Sequence, residues 1–243
     1  MARFPRWLGV LFGAAAAAAT ACAAPAAAPA PVAGAEYAIR WNPRDGGPAT
    51  AAETLALLGL RAKHSARFSV DYYDLPPSPT VPPGFATILR RRIDAAGQAT
   101  VTWKLRGDKV LSRWVCPLRD ARDAKAEVDV GFGFGFGFGF GSADTVTRRY
   151  SYSCTSDDLE AALALLSARA NGCPAAVTRK DAGSVRVEEW RLPGGEVLLE
   201  VSGSGTDTSA ALERFRSQVV VPLLAAGIRP APESKTDQVS RCP

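Results

Sequence analysis

The chain has 243 residues, 47% of them hydrophobic, with 29 lysines and arginines against 24 aspartates and glutamates and a formal net charge of +5. That length and apolar content can bury a real core, which excludes disorder as the default state, and the near balance of charge excludes a nucleic-acid coat while leaving room for a local basic site that holds a small anion. One histidine, His64, with no serine–histidine–aspartate arrangement around it, excludes a hydrolase triad.

In chain order, Arg3 and Arg6 supply a positive n-region, Trp7 to Ala19 an apolar stretch, and Ala19-Thr20-Ala21 a small-residue cleavage site. Residues 1–22 are therefore expected to be an export signal, too short and too alanine-rich for a membrane span. Cys22 follows the triplet as the lipidated cysteine follows a bacterial lipobox. Ala19 stands where that pattern usually has leucine, so cleavage with free secretion is the alternative to a lipoprotein. The expected place is the periplasm or the outer membrane, with membrane contact only through a lipid anchor at Cys22. Residues 23–34 (AAPAAAPAPVAG) read as a semi-rigid spacer that buries no core, and a single domain is expected over residues 35–243.

Within that domain, Glu36 to Trp41 alternates polar and apolar residues, as a strand does. Thr50 to Leu60 has helical spacing, and Ala66 to Asp74 is a strand broken by the prolines after it. Phe85 to Ile93 and Ala99 to Arg106, joined by the glycine-containing Asp94 to Gln98, read as an antiparallel hairpin. Lys125 to Val130 is another strand, and Gly131 to Gly141 is a strict Gly-Phe alternation, expected to be a low-complexity insertion in a surface hairpin. Thr145 to Cys154 returns, and Ser156-Asp157-Asp158 caps a helix through about Ala170. Three strands follow at Ala176 to Lys180, Val185 to Leu192 and Glu196 to Ser202, then a long helix over Thr208 to Ala226. The fold class expected is α+β: an antiparallel β-barrel, or tunnel, of about eight strands with flanking helices. Trp103 and Trp190 are expected to face outward under helices, Tyr72-Tyr73 to pack in the barrel, and His64 to lie at the surface by a helix end.

Cys116, Cys154, Cys173 and Cys242 are an even number in a compartment that permits disulfides. Three pairings are open, among them Cys154–Cys173 and any bond from Cys242 that would pin the tail. No CxxC pair exists, which argues against thiolate zinc ligation.

Strand parity carries the functional reading. Glu36 and Arg40 share one face of the first strand. Arg90 and Arg92, Lys104 and Arg106, Lys125 with Glu127 and Asp129, and Arg186 with Glu188 do the same on four others. One charged face is the wet side of a sheet; five, with both signs mixed, are the mark of a closed barrel with a polar bore. Guanidinium and ammonium groups suit phosphate oxygens, and carboxylates suit Mg²⁺ or Mn²⁺ that bridges phosphates.

The order of segments resembles the CYTH or triphosphate-tunnel superfamily. Val70 to Leu75 (VDYYDL), Leu89 to Arg92 (LRRR), Thr102-Trp103-Lys104, Lys125-x-Glu127-x-Asp129, Glu200 in LLEVS and Ser234-Lys235 carry the resemblance. It implies that Arg40, Arg90, Arg92, Lys104, Arg186 and Lys235 grip a triphosphate or polyphosphate small molecule. Glu36, Glu127, Asp129 and Glu200 would serve the metal or orient water as catalytic groups. Two departures stand out: the family's Glu-x-Glu-x-Lys is Glu36-x-Ala38-x-Arg40 here, and its late Glu-x-Glu is Glu200-x-Ser202. Anion-binding positions survive better than metal-binding ones, so the alternative is a catalytically inactive anion-binding or envelope-interaction lipoprotein.

Overall fold

The structure, a computed structural model, describes residues 32, 34–133, 145–231 and 235–236. The leader, the lipobox-like Cys22, most of the spacer and most of the Gly-Phe tract lie outside the described residues.

The strands are β1 (Gly34–Trp41), β2 (His64–Asp74), β3 (Phe85–Asp94), β4 (Ala99–Gly107), β5 (Arg122–Phe132), β6 (Val146–Ser156), the two-residue β7 (Arg169–Ala170), β8 (Ala175–Ala182), β9 (Val185–Arg191) and β10 (Val197–Thr206). Nine of them, all but β7, close a ring in the order β2, β3, β4, β6, β5, β1, β10, β9, β8 and back to β2. The expected barrel is thus present with nine walls rather than about eight. An odd number of strands in a closed ring cannot alternate direction throughout, so one neighbouring pair must be parallel. That pair is β1–β5, with Glu36 opposite Asp129; every other pairing is antiparallel.

The barrel is apolar outside and polar inside. On the outer face Tyr37, Ile39 and Trp41 of β1, Val128, Val130 and Phe132 of β5 and Leu199 and Val201 of β10 are buried under helices. The covering helices are α1 (Ala51–Leu57) and a C-terminal helix made of α3 (Ser209–Phe215), a π-helical turn (Arg216–Val220) and α4 (Val221–Ala225). Phe215 stacks on both Tyr37 and Phe132, with ring centroids 5.7 and 5.6 Å apart, so the first phenylalanine of the Gly-Phe tract belongs to this packing. A second outer cluster sets Leu89, Val101, Trp103, Leu105, Tyr152 and Cys154 beneath α2 (Leu159–Leu166) and the segment before β5. A disulfide joins Cys116 of that segment to Cys154, which rules out the Cys154–Cys173 pairing.

Each helix starts where its sequence supplies a cap: Thr50, Asp158 and Thr208 accept hydrogen bonds from the backbone N–H three residues on. The second helix stops earlier than its apolar spacing suggests. Ser167 takes a left-handed φ of 50° and closes the last turn, releasing Arg169 and Ala170 to extend along β2. His64 opens strand β2 rather than flanking a helix. No helix among the described residues is long and apolar enough to cross a membrane.

Candidate functional site

Alternation along the nine strands turns one side chain in two inward, and the inward set encloses a cavity of about 440 Å³. Glu36, Arg40, Arg90, Arg92, Lys104, Glu127, Asp129, Arg186, Glu200 and Lys235 all border it. The ten side chains singled out in the sequence, drawn from seven separate segments, therefore meet in one space. Sequence reasoning passed over Glu188 and Arg106 as site residues although it placed both on charged faces. It also passed over Arg149, Thr100, Thr102, Ser153 and Thr155, which the same parity would have found on β4 and β6.

On one side of the cavity the charges neutralise each other. Glu188 and Glu200 stand directly opposite across the β9–β10 pair, 2% and 1% exposed, an arrangement that repels unless cations intervene. Lys235 Nζ donates to Glu188 Oε2 at 2.8 Å and to Glu200 Oε1 at 2.6 Å. Arg40 Nε donates to the other oxygen of Glu200, and Trp190 Nε1 donates to Glu188 at 3.1 Å. Trp190 therefore faces the bore, with Lys235 Nζ 5.2 Å from its ring centroid, and not outward as expected. Its neighbours Val70, Ala175, Val177 and Leu198 complete an apolar plug inside the barrel. Burial opposes charge on Glu188, but Lys235 and Arg92 hold its carboxyl far below the usual carboxylate range. Lys235 is raised in turn: burial works against it, and Glu188 and Glu200 prevail.

A second cluster sits where β1 runs parallel to β5. One oxygen each of Glu36, Glu127 and Asp129 lie within 4.8 Å of one another. Lys104 Nζ is 3.1 Å from Asp129 and 3.8 Å from Glu127, Arg106 Nε donates to Asp129 at 2.7 Å, and Lys125 Nζ donates to Glu127 at 2.7 Å. Glu36 has no direct hydrogen bond or ion pair among the described residues. Burial opposes its charge, yet Lys104 and Lys235 hold its carboxyl below the ordinary range. Asp129 is lowered against burial by Lys104 and Arg106. Three carboxylates, one of them uncommitted, are an oxygen donor set that suits Mg²⁺ or Mn²⁺. Glu200, expected among the metal groups, is instead enclosed by Arg40 and Lys235.

The third cluster is cationic. Arg90 makes no ion pair or hydrogen bond among the described residues, and its Nε is buried without a partner, as is that of Arg92. Arg92 has only a long contact to Glu188, Nη2 to Oε1 at 3.5 Å, and stacks on Phe68 with its guanidinium carbon 4.8 Å from the ring centroid. Burial and the neighbouring Arg90 push Arg92 down to about 10. Arg186 lies apart from these two, held by Asp181 at 2.8 Å. On β4, Arg106 at the carboxylate cluster and Thr102, which pairs with Arg90, are four residues apart, about 13 Å along the strand.

No family model matches the sequence, and no curated protein does. Among solved structures the chain is similar in fold to PH1012 of Pyrococcus horikoshii OT3, at 14% identity and a TM-score of 0.46, over 84% of this chain and 99% of that one. It is also similar to PH1819 of the same organism (11%, TM-score 0.47, 84% and 97%). A third likeness is to HpAC1 of Hippeastrum, a protein with a dominant triphosphatase activity (11%, TM-score 0.44, 85% and 94%). These likenesses concern the course of the backbone.

Proposed function

We propose that the bore binds a linear triphosphate or polyphosphate small molecule lengthwise, with Mg²⁺ or Mn²⁺ held by Glu36, Glu127 and Asp129. The observation that carries this reading is the pair Arg90 and Arg92: two adjacent inward guanidiniums, of which Arg90 has no carboxylate partner among the described residues and Arg92 only the 3.5 Å contact to Glu188. Half-buried guanidiniums with so little counter-charge are disfavoured, so a pair maintained this way supports an anionic occupant. Arg offers bidentate geometry to phosphate oxygens. The separation between the arginine pair and the carboxylate cluster suits an extended oligophosphate better than a single phosphate.

Glu36, Glu127 and Asp129 would hold a divalent cation, which would supply positive charge against the phosphates and a more acidic bound water. The chain's own residues supply the rest: Arg90 and Arg92 hold one part of the anion, Lys104 and Arg106 the other, and Thr102 offers a hydroxyl between. Hydrolysis is the first activity to assay, and calorimetric titration of the purified protein with tripolyphosphate, with Mn²⁺ and then with chelator, tests binding. Binding that Mn²⁺ tightens, with phosphate release, is expected. Glu36→Gln is expected to lower metal affinity by at least the tenfold to hundredfold that even an outer partner of a ligand costs. No binding of tripolyphosphate with or without metal removes the reading.

Ala38 and Ser202, and the enclosure of Glu200 by Arg40 and Lys235, favour a second reading: an anion-binding module that does not hydrolyse. Tight binding without turnover, indifferent to chelator, selects it. Export completes the proposal, supported by the leader-like residues 1–22 and by the Cys116–Cys154 disulfide. Mass spectrometry of the N-terminal peptide checks it: lipid on Cys22 marks the anchored form, a free Cys22 terminus the secreted form, and an intact Met1 terminus removes the export reading.

A further inference from the structure

Among the described residues Tyr72 is the one aromatic hydroxyl beside the arginine pair of the bore. It faces Arg90 across the β2–β3 pair, borders the cavity, and the residue is 3% exposed. Its hydroxyl is buried and has no hydrogen-bond partner among the described residues. Its neighbour Tyr73 turns the other way, into the outer cluster with Leu89 and Trp103. The three inward groups on this side, Tyr72 Oη, Arg90 Nε and Arg92 Nε, therefore carry the same defect: a buried donor with nothing to donate to. One such group is an accident of packing. Three on two paired strands are the lining of a place where an oxygen-rich anion supplies the acceptors.

The wall also ends here. The β2–β3 pairing stops at Tyr73 and Leu89, and beyond it a second cavity of about 270 Å³, bordered by Asp74, Leu75, Ala86 and Thr87, shares Tyr72, Ile88, Arg106 and Arg149 with the first. Tyr72 stands where this annex joins the bore, on the Arg106 side of the arginine pair.

We propose that Tyr72 is a specificity-determining residue of the bore: its hydroxyl donates to the phosphoryl group held by Arg90 and Arg92 and so fixes where along the bore that group sits. This rests on the reading that the bore binds oligophosphate. The donor is neutral, so it adds direction without adding to the crowding of charge that Arg90 and Arg92 already create. A site with two guanidiniums alone accepts any anion; the phenol demands an acceptor oxygen at one position.

The test is Tyr72→Phe beside Tyr73→Phe, with tripolyphosphate as the probe. Tyr72→Phe is expected to weaken tripolyphosphate binding about tenfold, as loss of a hydrogen bond to a charged group does. The Mn²⁺ affinity of the ligand-free protein stays unchanged. Because the variant removes an unsatisfied buried donor, its ligand-free melting temperature is expected to rise by about 2–4 °C. Tyr73→Phe is expected to leave binding as it is. Weaker binding together with higher intrinsic stability is a combination that a structural hydroxyl does not produce. If the parent protein binds tripolyphosphate and Tyr72→Phe binds it within twofold, or melts lower, the role assigned to Tyr72 is wrong while the oligophosphate reading stands. If the parent protein itself does not bind, the oligophosphate reading fails first and this inference goes with it.

Discussion

At the residue scale, the decisive feature is the meeting of Glu188, Glu200 and Lys235. Two carboxylates directly opposite on neighbouring strands, both almost fully enclosed, are a liability that one ammonium from the C-terminal segment relieves. Lys235→Met leaves them with Arg40 and a distant Arg92, and breaking a buried pair this way costs about 3–5 kcal/mol. For a domain of this size that is a fall in melting temperature of roughly 10 °C at neutral pH, read by thermal unfolding. The fall is expected to shrink in acid, because protonation removes the repulsion that Lys235 had balanced. A change under about 2 °C would mean that Arg40 and Arg92 suffice. Parity made Glu188 visible on a charged strand face, and the resemblance carried by LLEVS and Ser234-Lys235 made Glu200 and Lys235 candidates. What could not be read was their partnership: Lys235 is 35 residues from Glu200 and 47 from Glu188, and no local pattern reports such a contact.

At the element scale, strands were legible wherever polar and apolar residues alternate, and their ends moved by a few residues. β5 begins three residues earlier than expected, at Arg122, because a register shift between Arg122 and Lys125 breaks the alternation that sequence reading relies on. β7 escaped notice because two residues carry no period. The C-terminal helix was expected in one piece, and it is continuous apart from the π turn over Arg216–Val220, which also carries Val219 and Val220 into the outer core. The disulfide belongs to this scale as well. It ties the segment bearing Leu111, Trp114 and Leu118 to β6, over the stacked rings of Trp103 and Trp114, 6.2 Å apart. Its 38-residue separation corresponds to about 4 kcal/mol of loop-closure stabilisation. The double variant Cys116→Ala, Cys154→Ala is expected to unfold at lower denaturant by most of that amount. A shift under about 1 kcal/mol would show that packing of Trp114 and Leu118 holds the segment unaided.

For the whole molecule, the bore sets the response to pH. Glu36, Asp129 and Glu188 all have folded-state pKa values below their ordinary ones. Such groups contribute stability that is fully present above the ordinary carboxylate range near 4.5 and is lost as the pH falls from there through the lowered values. Denaturant titrations at pH 7, 5 and 3.5 are expected to show little change over the first interval and a marked loss over the second. Equal stability at pH 5 and 3.5 would contradict the ionised state assigned to these three groups. Arg92 acts at the other extreme: with its pKa near 10, anion affinity is expected to decline as the pH rises through that value, since the guanidinium loses the charge that holds the ligand.

What the sequence determined by itself was the alternation: which residues share a strand face, that several such faces are charged, and where helices begin, because strand pleat, helix period and capping are properties of a few neighbouring residues. The tertiary structure decided what those faces do to each other. Ring closure with nine strands forced one parallel seam and set Glu36 beside Asp129. Trp190 turned inward to cover Glu188, and the same closure left Arg90 Nε, Arg92 Nε and Tyr72 Oη buried without acceptors among the described residues. These outcomes depend on contacts between residues far apart in the chain, whose free energies appear only once the barrel is shut.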